Sequence, residues 1–332
     1  MFFLQIMKVK KIDFSKVIRE DQVYNCILAC YDELGKDWIA HQWNWLNSVY
    51  RPFNDHYKYL ILISLIEKTF QFYDQVGVTF SYDHYYLKSD IQIDKYSITE
   101  LCEKLNLPKE TVRRKVLDLE KRGVIKRQKK QIIIDRSAFP FVKPENQIIS
   151  TSKYIHLISQ KLNKKNIFSK RLDRRFIEKI IKDNFTLCWR WYFRMQIPMV
   201  VRYEQSFEDI STFHIWGTVI MNQAFNHSKK FKQSNIHSLT PDYINFNESF
   251  IKQDGENSGV SAMSISDMTG IPRATVVRKC KNLMKYKYLS LNAKKQYILT
   301  GYNLQRMAPL QKEIFKHKAK FIRKVLNLCL VS

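Results

Sequence analysis

Apolar residues recur at intervals of three and four through much of this chain, the period of helices that bury one face. Between residues 98 and 135 the pattern changes character twice. Leu101 and Leu105 mark a short helix, Asn106-Leu107 a tight connection, and Pro108 the start of a second helix, where its missing N–H would lack a partner anyway. Val112, Val116 and Leu119 keep the helical period, while Thr111, Arg113, Arg114 and Lys115 fall largely outside that stripe. Gly123 stands where a left-handed cap is expected. Val124 to Arg127 and Gln131 to Ile134 then read as two strands joined by Gln128-Lys129-Lys130.

The same pattern returns downstream at a constant offset of 164 (272 − 108). Pro108, Thr111, Val112, Arg114, Lys115 and Leu119 recur as Pro272, Thr275, Val276, Arg278, Lys279 and Leu283. A second hairpin follows, from Tyr288 to Leu291 and from Gln296 to Thr300 around Asn292-Ala293-Lys294-Lys295. Any amphipathic helix pair imitates one such motif. Two copies, each with its own hairpin, argue for internal duplication.

Helix, short turn, basic helix and hairpin together resemble the winged helix-turn-helix of bacterial GntR- and MarR-type transcriptional regulators, most closely in the run LPKETVRRKV. The resemblance implies a mainly α fold with small β-hairpin wings, an α+β chain carrying two winged helix-turn-helix domains. It also implies that each second helix enters a major groove, its N-terminal side chains reaching base edges while phosphate contacts fix the register. By position, Lys109, Thr111, Arg113, Arg114 and Lys115 would face DNA in the first copy, and Arg273, Thr275, Arg278 and Lys279 in the second. Lys129, Lys130, Lys294 and Lys295 of the wing turns would contact backbone or minor groove. Arginine suits bidentate binding of guanine. The competing role for Arg114 and Arg278 is an intradomain salt bridge, with Glu110 in the first case. Arg113 becomes Val277 in the second copy, so the two half-sites need not be identical.

Five segments follow: an N-terminal helical segment (1–54), a first winged helix-turn-helix (55–137), a basic helical connector with a second Trp-x-Trp segment (138–206), a second winged helix-turn-helix (207–301) and a C-terminal basic helix (302–332). Val23, Ile27, Cys30, Tyr31 and Leu34 give the first a helical period, and Tyr59, Ile63, Ile66, Phe70 and Tyr73 predict a helix over 55–73. Residues 207–226 are its looser counterpart, through Ile210, Phe213, His214, Gly217, Ile220 and Phe225. The 55–73 seam also allows a dimer interface. Trp43-x-Trp45 with Pro52 nine residues after the first Trp (52 − 43) recurs as Trp189-x-Trp191 with Pro198 (198 − 189). That offset of 146 (189 − 43) implies about eighteen extra residues before the second recognition helix (164 − 146), expected in a polar surface loop within His227 to Ser258. The Trp pairs either pack in the core or stack on bases. Val76, Val78, Phe80 and Tyr82 alternate as a strand would, in a loop that either covers a satellite core or lines an effector pocket. The helix from Pro309 to Leu330 ends in an apolar stretch suited to docking on the body or on a second subunit.

Charge narrows the function. With 56 Lys+Arg against 31 Asp+Glu, the net charge is +25, which implies a polyanionic partner. Biased codon usage would also raise lysine, but it does not explain placement: Arg273 to Lys295 carries eight Lys/Arg and no acid, whereas Asp242 to Ser258 carries four acids. Lys153 to Lys182 carries ten Lys/Arg against two acids, a candidate phosphate track or a solvated helix face. Six cysteines form no CxxC pair; Cys26 and Cys30, with His41 further on, read as buried thiols rather than a metal site. No phosphate-binding glycine loop, HExxH or GxSxG occurs, and eight glycines leave little for nucleotide cradles. The expectation is a cytoplasmic, nucleoid-associated, non-enzymatic protein with no cofactor or metal. It binds double-stranded DNA in a sequence-specific way, as a transcriptional regulator, acting as one chain or as a homodimer. No effector is specified. The alternatives are a plasmid- or phage-type replication initiator at repeated sites, and a winged-helix module for protein interaction.

Overall fold

The computed structural model describes residues 16–87, 90–93, 97–128, 131–138, 143–231, 258–300 and 304–332. Lys129 and Lys130, and the acidic stretch of the expected surface loop between 232 and 257, lie outside the described residues. The chain is mainly helical, with thirteen α-helices among the described residues and two small antiparallel sheets.

The N-terminal period is split at Cys30 into α1 (Glu20–Ala29) and α2 (Tyr31–Tyr50), which carries Trp43 and Trp45. Asp55 then caps α3 (His56–Gln75), its carboxylate accepting from Tyr57 N at 3.0 Å and Lys58 N at 3.4 Å. Such a cap is worth about 1 kcal/mol. The strand expected over Val76–Tyr82 does not form. Residues 78–81 carry no regular structure, and α4 (Tyr82–Leu87) begins at the last alternating position. The strand is β1 (Asp90–Ile93), further along, with Ile91 and Ile93 buried.

Ser97 caps α5 (Ile98–Leu105), which ends at Asn106 with φ 52°. A short polar side chain tolerates that left-handed conformation better than most. Leu107 is buried, Pro108 precedes the first residue of α6 (Lys109–Lys121), and Gly123 follows it at φ 73°. β2 (Ile125–Gln128) pairs with β3 (Gln131–Asp135), and β3 pairs on its other side with β1, giving the order β1-β3-β2. Ile125, Ile132 and Ile134 turn inward beneath α6.

α7 (Glu145–Lys164) and α8 (Arg174–Asp183) pack against each other, and α9 (Phe185–Phe207) carries Trp189, Trp191 and, inside the helix, Pro198. The matching Pro52 lies instead beyond the end of α2, so equal spacing conceals two different uses of proline. Next comes α10 (Ile210–Phe231). From residue 258 the order of the first unit returns: Val260 in extended backbone, α11 (Ala262–Thr269) capped by Ser261, Gly270 at φ 77°, buried Ile271, α12 (Arg273–Lys285), β4 (Leu289–Leu291) and β5 (Tyr297–Leu299). Val260 exchanges two backbone hydrogen bonds with Tyr297, of 3.0 and 2.9 Å, a one-residue counterpart of the β1–β3 pairing. Gly259 sits so close to the hairpin that a Cβ there would lie 2.5 Å from Cβ of Gln296. α13 (Leu304–Val331) closes the chain against α1 and α9.

The buried residues form one continuous cluster from Ile18 to Cys329. Its centre is a reciprocal exchange. α2 leads into α3 but packs on α10, and α9 leads into α10 but packs on α3. The two Trp-bearing helices thereby cement the two units together. Trp45 and Trp189 are buried, and Trp43 donates to Thr218 Oγ1 at 3.0 Å, so the Trp pairs serve the core.

Candidate nucleic-acid interface

The two basic helices stand on long helices through matching ion pairs. Lys115 of α6 bonds Asp55, the residue that caps α3. Lys279 of α12 bonds Asp209, which accepts from Thr212 N at 2.8 Å at the start of α10; it also donates to Thr212 Oγ1 at 3.0 Å. Lys115 and Lys279 were expected on the DNA face, and here the structure differs. Both side chains run inward, Lys279 being only 8% exposed, and their charges are spent on half-buried carboxylates. A long aliphatic stem lets lysine lie along an apolar surface and place its ammonium at a distant partner.

The feet of the two long helices meet. His56, beside Asp55, is 3.0 Å from His214 (Nε2 to Nδ1), and His214 Nε2 is 3.1 Å from Asn47 Oδ1. One assignment satisfies the row: His214 donates to Asn47 and accepts from His56, leaving both rings neutral. Burial pushes His56 down to about 3, helped by the charge of Lys279, and holds His214 well below the usual histidine range. A strut therefore runs Lys115–Asp55, His56–His214, Asp209–Lys279, joining one basic helix to the other through the middle of the molecule. A second polar row lies beside it: Ser150, His41, Tyr192, Gln196 and Gln42 are linked at 2.8, 3.0, 2.8 and 3.2 Å.

Outward, the remaining expected contacts divide. Lys109, Arg113 and Arg114 are exposed on α6 and Thr111 is half-buried; Arg273 and Arg278 are exposed on α12 and Thr275 is half-buried. Arg113 lies 3.9 Å from Glu110, a loose and solvent-exposed approach. Arg114, Arg273 and Arg278 make no ion pair with a described carboxylate, and neither do Lys294 and Lys295 at the exposed second wing turn. That turn is built: Asn292 Oδ1 accepts from Lys294 N at 3.1 Å and Gln296 N at 2.9 Å, with Lys295 at φ 57°. Lys281 and Lys285, not singled out from sequence, extend the exposed stripe of Arg278. Their spacing of three and seven from Arg278 is the available signal.

The connector behaves otherwise. Lys153 pairs with Asp37 at 2.5 Å, Lys161 with Glu33, Arg174 with Glu178 at 2.9 Å and Lys179 with Asp183 at 2.6 Å. Lys182 also reaches Glu178, at 3.0 Å, so five of the ten cations of the expected phosphate track are paired, two of them tying α7 to α2 and three within α8. Cys26 and Cys30 are buried, and burial together with Cys30 pushes the Cys26 thiol up to about 12. Among the described residues no group of three or more His, Cys, Asp or Glu side chains is placed to hold a metal ion. Likewise, no helix among them is long and apolar enough to cross a membrane. Comparison with protein-family models, curated proteins and solved structures finds no match to this chain.

Proposed function

We propose that the chain is a sequence-specific double-stranded DNA-binding protein, non-enzymatic and regulatory, with α6 and α12 as paired recognition helices of a tandem winged helix-turn-helix. The carrying observation is the division of labour on each helix. One lysine is turned inward to fix the helix on its neighbour, while arginines on the outer face carry charge that no described carboxylate neutralises. A helix held rigidly from beneath and charged outward is what groove reading requires. A protein-interaction module would have no use for uncompensated arginine at both positions, and that favours DNA over the interaction reading.

The strut adds that one chain presents both helices in a fixed relation, as a homodimer does in simpler regulators. With the reciprocal packing of α2 on α10 and α9 on α3, we read the units as related by a pseudo-twofold axis and the site as an imperfect palindrome. Its half-sites would lie roughly 10 bp apart. Selection of bound duplexes from a random pool, followed by anisotropy across a salt series, tests this. Affinity should fall with log salt at about 0.9 per phosphate neutralised, and a flat response would contradict it. Iterated direct repeats among the selected duplexes would favour a replication initiator instead.

A further inference from the structure

A groove of about 500 Å³ opens between α9 and α13, bordered by Lys104 of α5. Such a volume is that of a small-molecule site. Trp191, Phe193 and Pro198 supply apolar lining, and Arg194, Lys320 and Lys324 supply three cations. His317 also lines the groove, and the groove's one described carboxylate, Glu67, is matched by Lys104 at 2.6 Å, as Arg202 is by Glu313 at 2.7 Å. Arg194, Lys320 and Lys324 pair with no described carboxylate.

Like charges this close repel, and repulsion grows as water is removed. Lys320 and Lys324 are four apart on one helix, a like-charge spacing that weakens a helix. Lys324 is half-buried, with Nζ 5.0 Å from the centre of the Trp191 ring. Burial and the charges of Arg194, Lys320, Arg323 and Arg190 together lower its pKa. An ordinary solvated basic face spreads its cations into water. Here they converge on a concavity from two helices, one of them half-buried, over an aromatic floor.

We propose that this groove binds a small phosphorylated molecule, its phosphates held by Arg194, Lys320 and Lys324 and its flat portion lying on Trp191. The site is separate from the exposed arginines of α6 and α12 and does not depend on their role. Phosphates of a DNA duplex carry the same chemistry, so the test must separate the two sources.

Inorganic pyrophosphate and ATP are titrated into the full chain by calorimetry, with tryptophan fluorescence recorded in parallel. Saturable binding is expected for both, ATP being the tighter and the one that alters the fluorescence. Arg194→Gln with Lys324→Gln should weaken it at least tenfold, and Arg114→Ala should leave it unchanged. Lys320→Gln, an exposed position, serves if the double variant fails to fold, and should weaken binding several-fold. No binding of either anion at millimolar concentration overturns the proposal, as does binding undiminished in these variants. Loss of duplex affinity in the variants, in a chain that takes up neither anion, would assign the cations to DNA and equally overturn it.

Discussion

The two units share an order of elements and differ in how their charge is disposed. In the first, Arg122 reaches Asp118 at 3.1 Å, Arg127 grips Glu120 at 2.5 Å and Lys126 lies 4.0 Å from Asp135. In the second, no acid occurs between Arg273 and Lys295. The outer stripes make the same point: Glu110, Arg114, Leu117 and Lys121 on α6 against Ala274, Arg278, Lys281 and Lys285 on α12. The sheets differ in the opposite sense. β1 pairs with β3 over four residues, whereas Val260 makes a single bridge to Tyr297. One unit is the better braced and the other the more strongly charged. On the proposed function, the second unit supplies more of the salt-dependent affinity and the first more of the fixed geometry.

The largest expected effect is on the pairs the units share. Asp209→Ala leaves buried Lys279 without its carboxylate and Asp55→Ala leaves half-buried Lys115 without its own, each also removing a side-chain acceptor at a helix start. Each should cost about 3 kcal/mol, read from urea melts. Loss of less than about 0.5 kcal/mol in both would mean that neither pair braces its helix.

Acid should act next, through the buried histidines of the strut and of the second polar row. His41 and His56 are pushed down to about 3 by burial, so the folded chain takes up no proton there until well below pH 5, while the unfolded chain does so near 6.5. The unfolded state therefore binds more protons between those values. Stability is full above about pH 6.5 and falls as pH drops towards 3, by on the order of 2 kcal/mol per histidine at pH 5. Denaturant melts at pH 7 and 5 check this, and His41→Gln should reduce the difference. Equal stability at the two pH values would show that the rings are not held neutral.

The charge contrast itself is sharpened by Arg114→Ala and Arg278→Ala, each expected to lose roughly 1–3 kcal/mol on the selected duplex. Lys281→Gln should lower the salt slope by about one, whereas Leu117→Gln at the matching position of α6 should leave it alone. Equal slopes in the two would remove the distinction between the units. The smallest effect concerns the residue after each basic helix. Gly123 has φ 73° and Lys287, at the same place in the second unit, φ 59°. Lys287→Gly should gain, and Gly123→Ala lose, about 1 kcal/mol; opposite signs in thermal melts would contradict that reading.

The mainly helical character and the longer helices were legible because each rests on local periodicity over several turns. β1 was not. Asp90–Ile93 offers two apolar positions in four, and its identity as a strand comes from β3, some forty residues away. The inward turn of Lys115 and Lys279 was hidden for the same reason, since Asp55 and Asp209 lie 60 and 70 residues distant. Arg114 and Arg278 were legible as outward-facing because a helix face is a local property. The exchange of α2 and α9 between the units depends on tertiary packing alone, and equal Trp–Pro spacing gave no warning that Pro198 would fall inside its helix.

On the proposed function, one chain carries both recognition helices of a single site. Light scattering on the complex with a minimal selected duplex measures it directly. One chain of 39.8 kDa per duplex is expected, with affinity lowered by Arg114→Ala and by Arg278→Ala alike. Two chains per duplex, with only one of those arginines affecting binding, would contradict it.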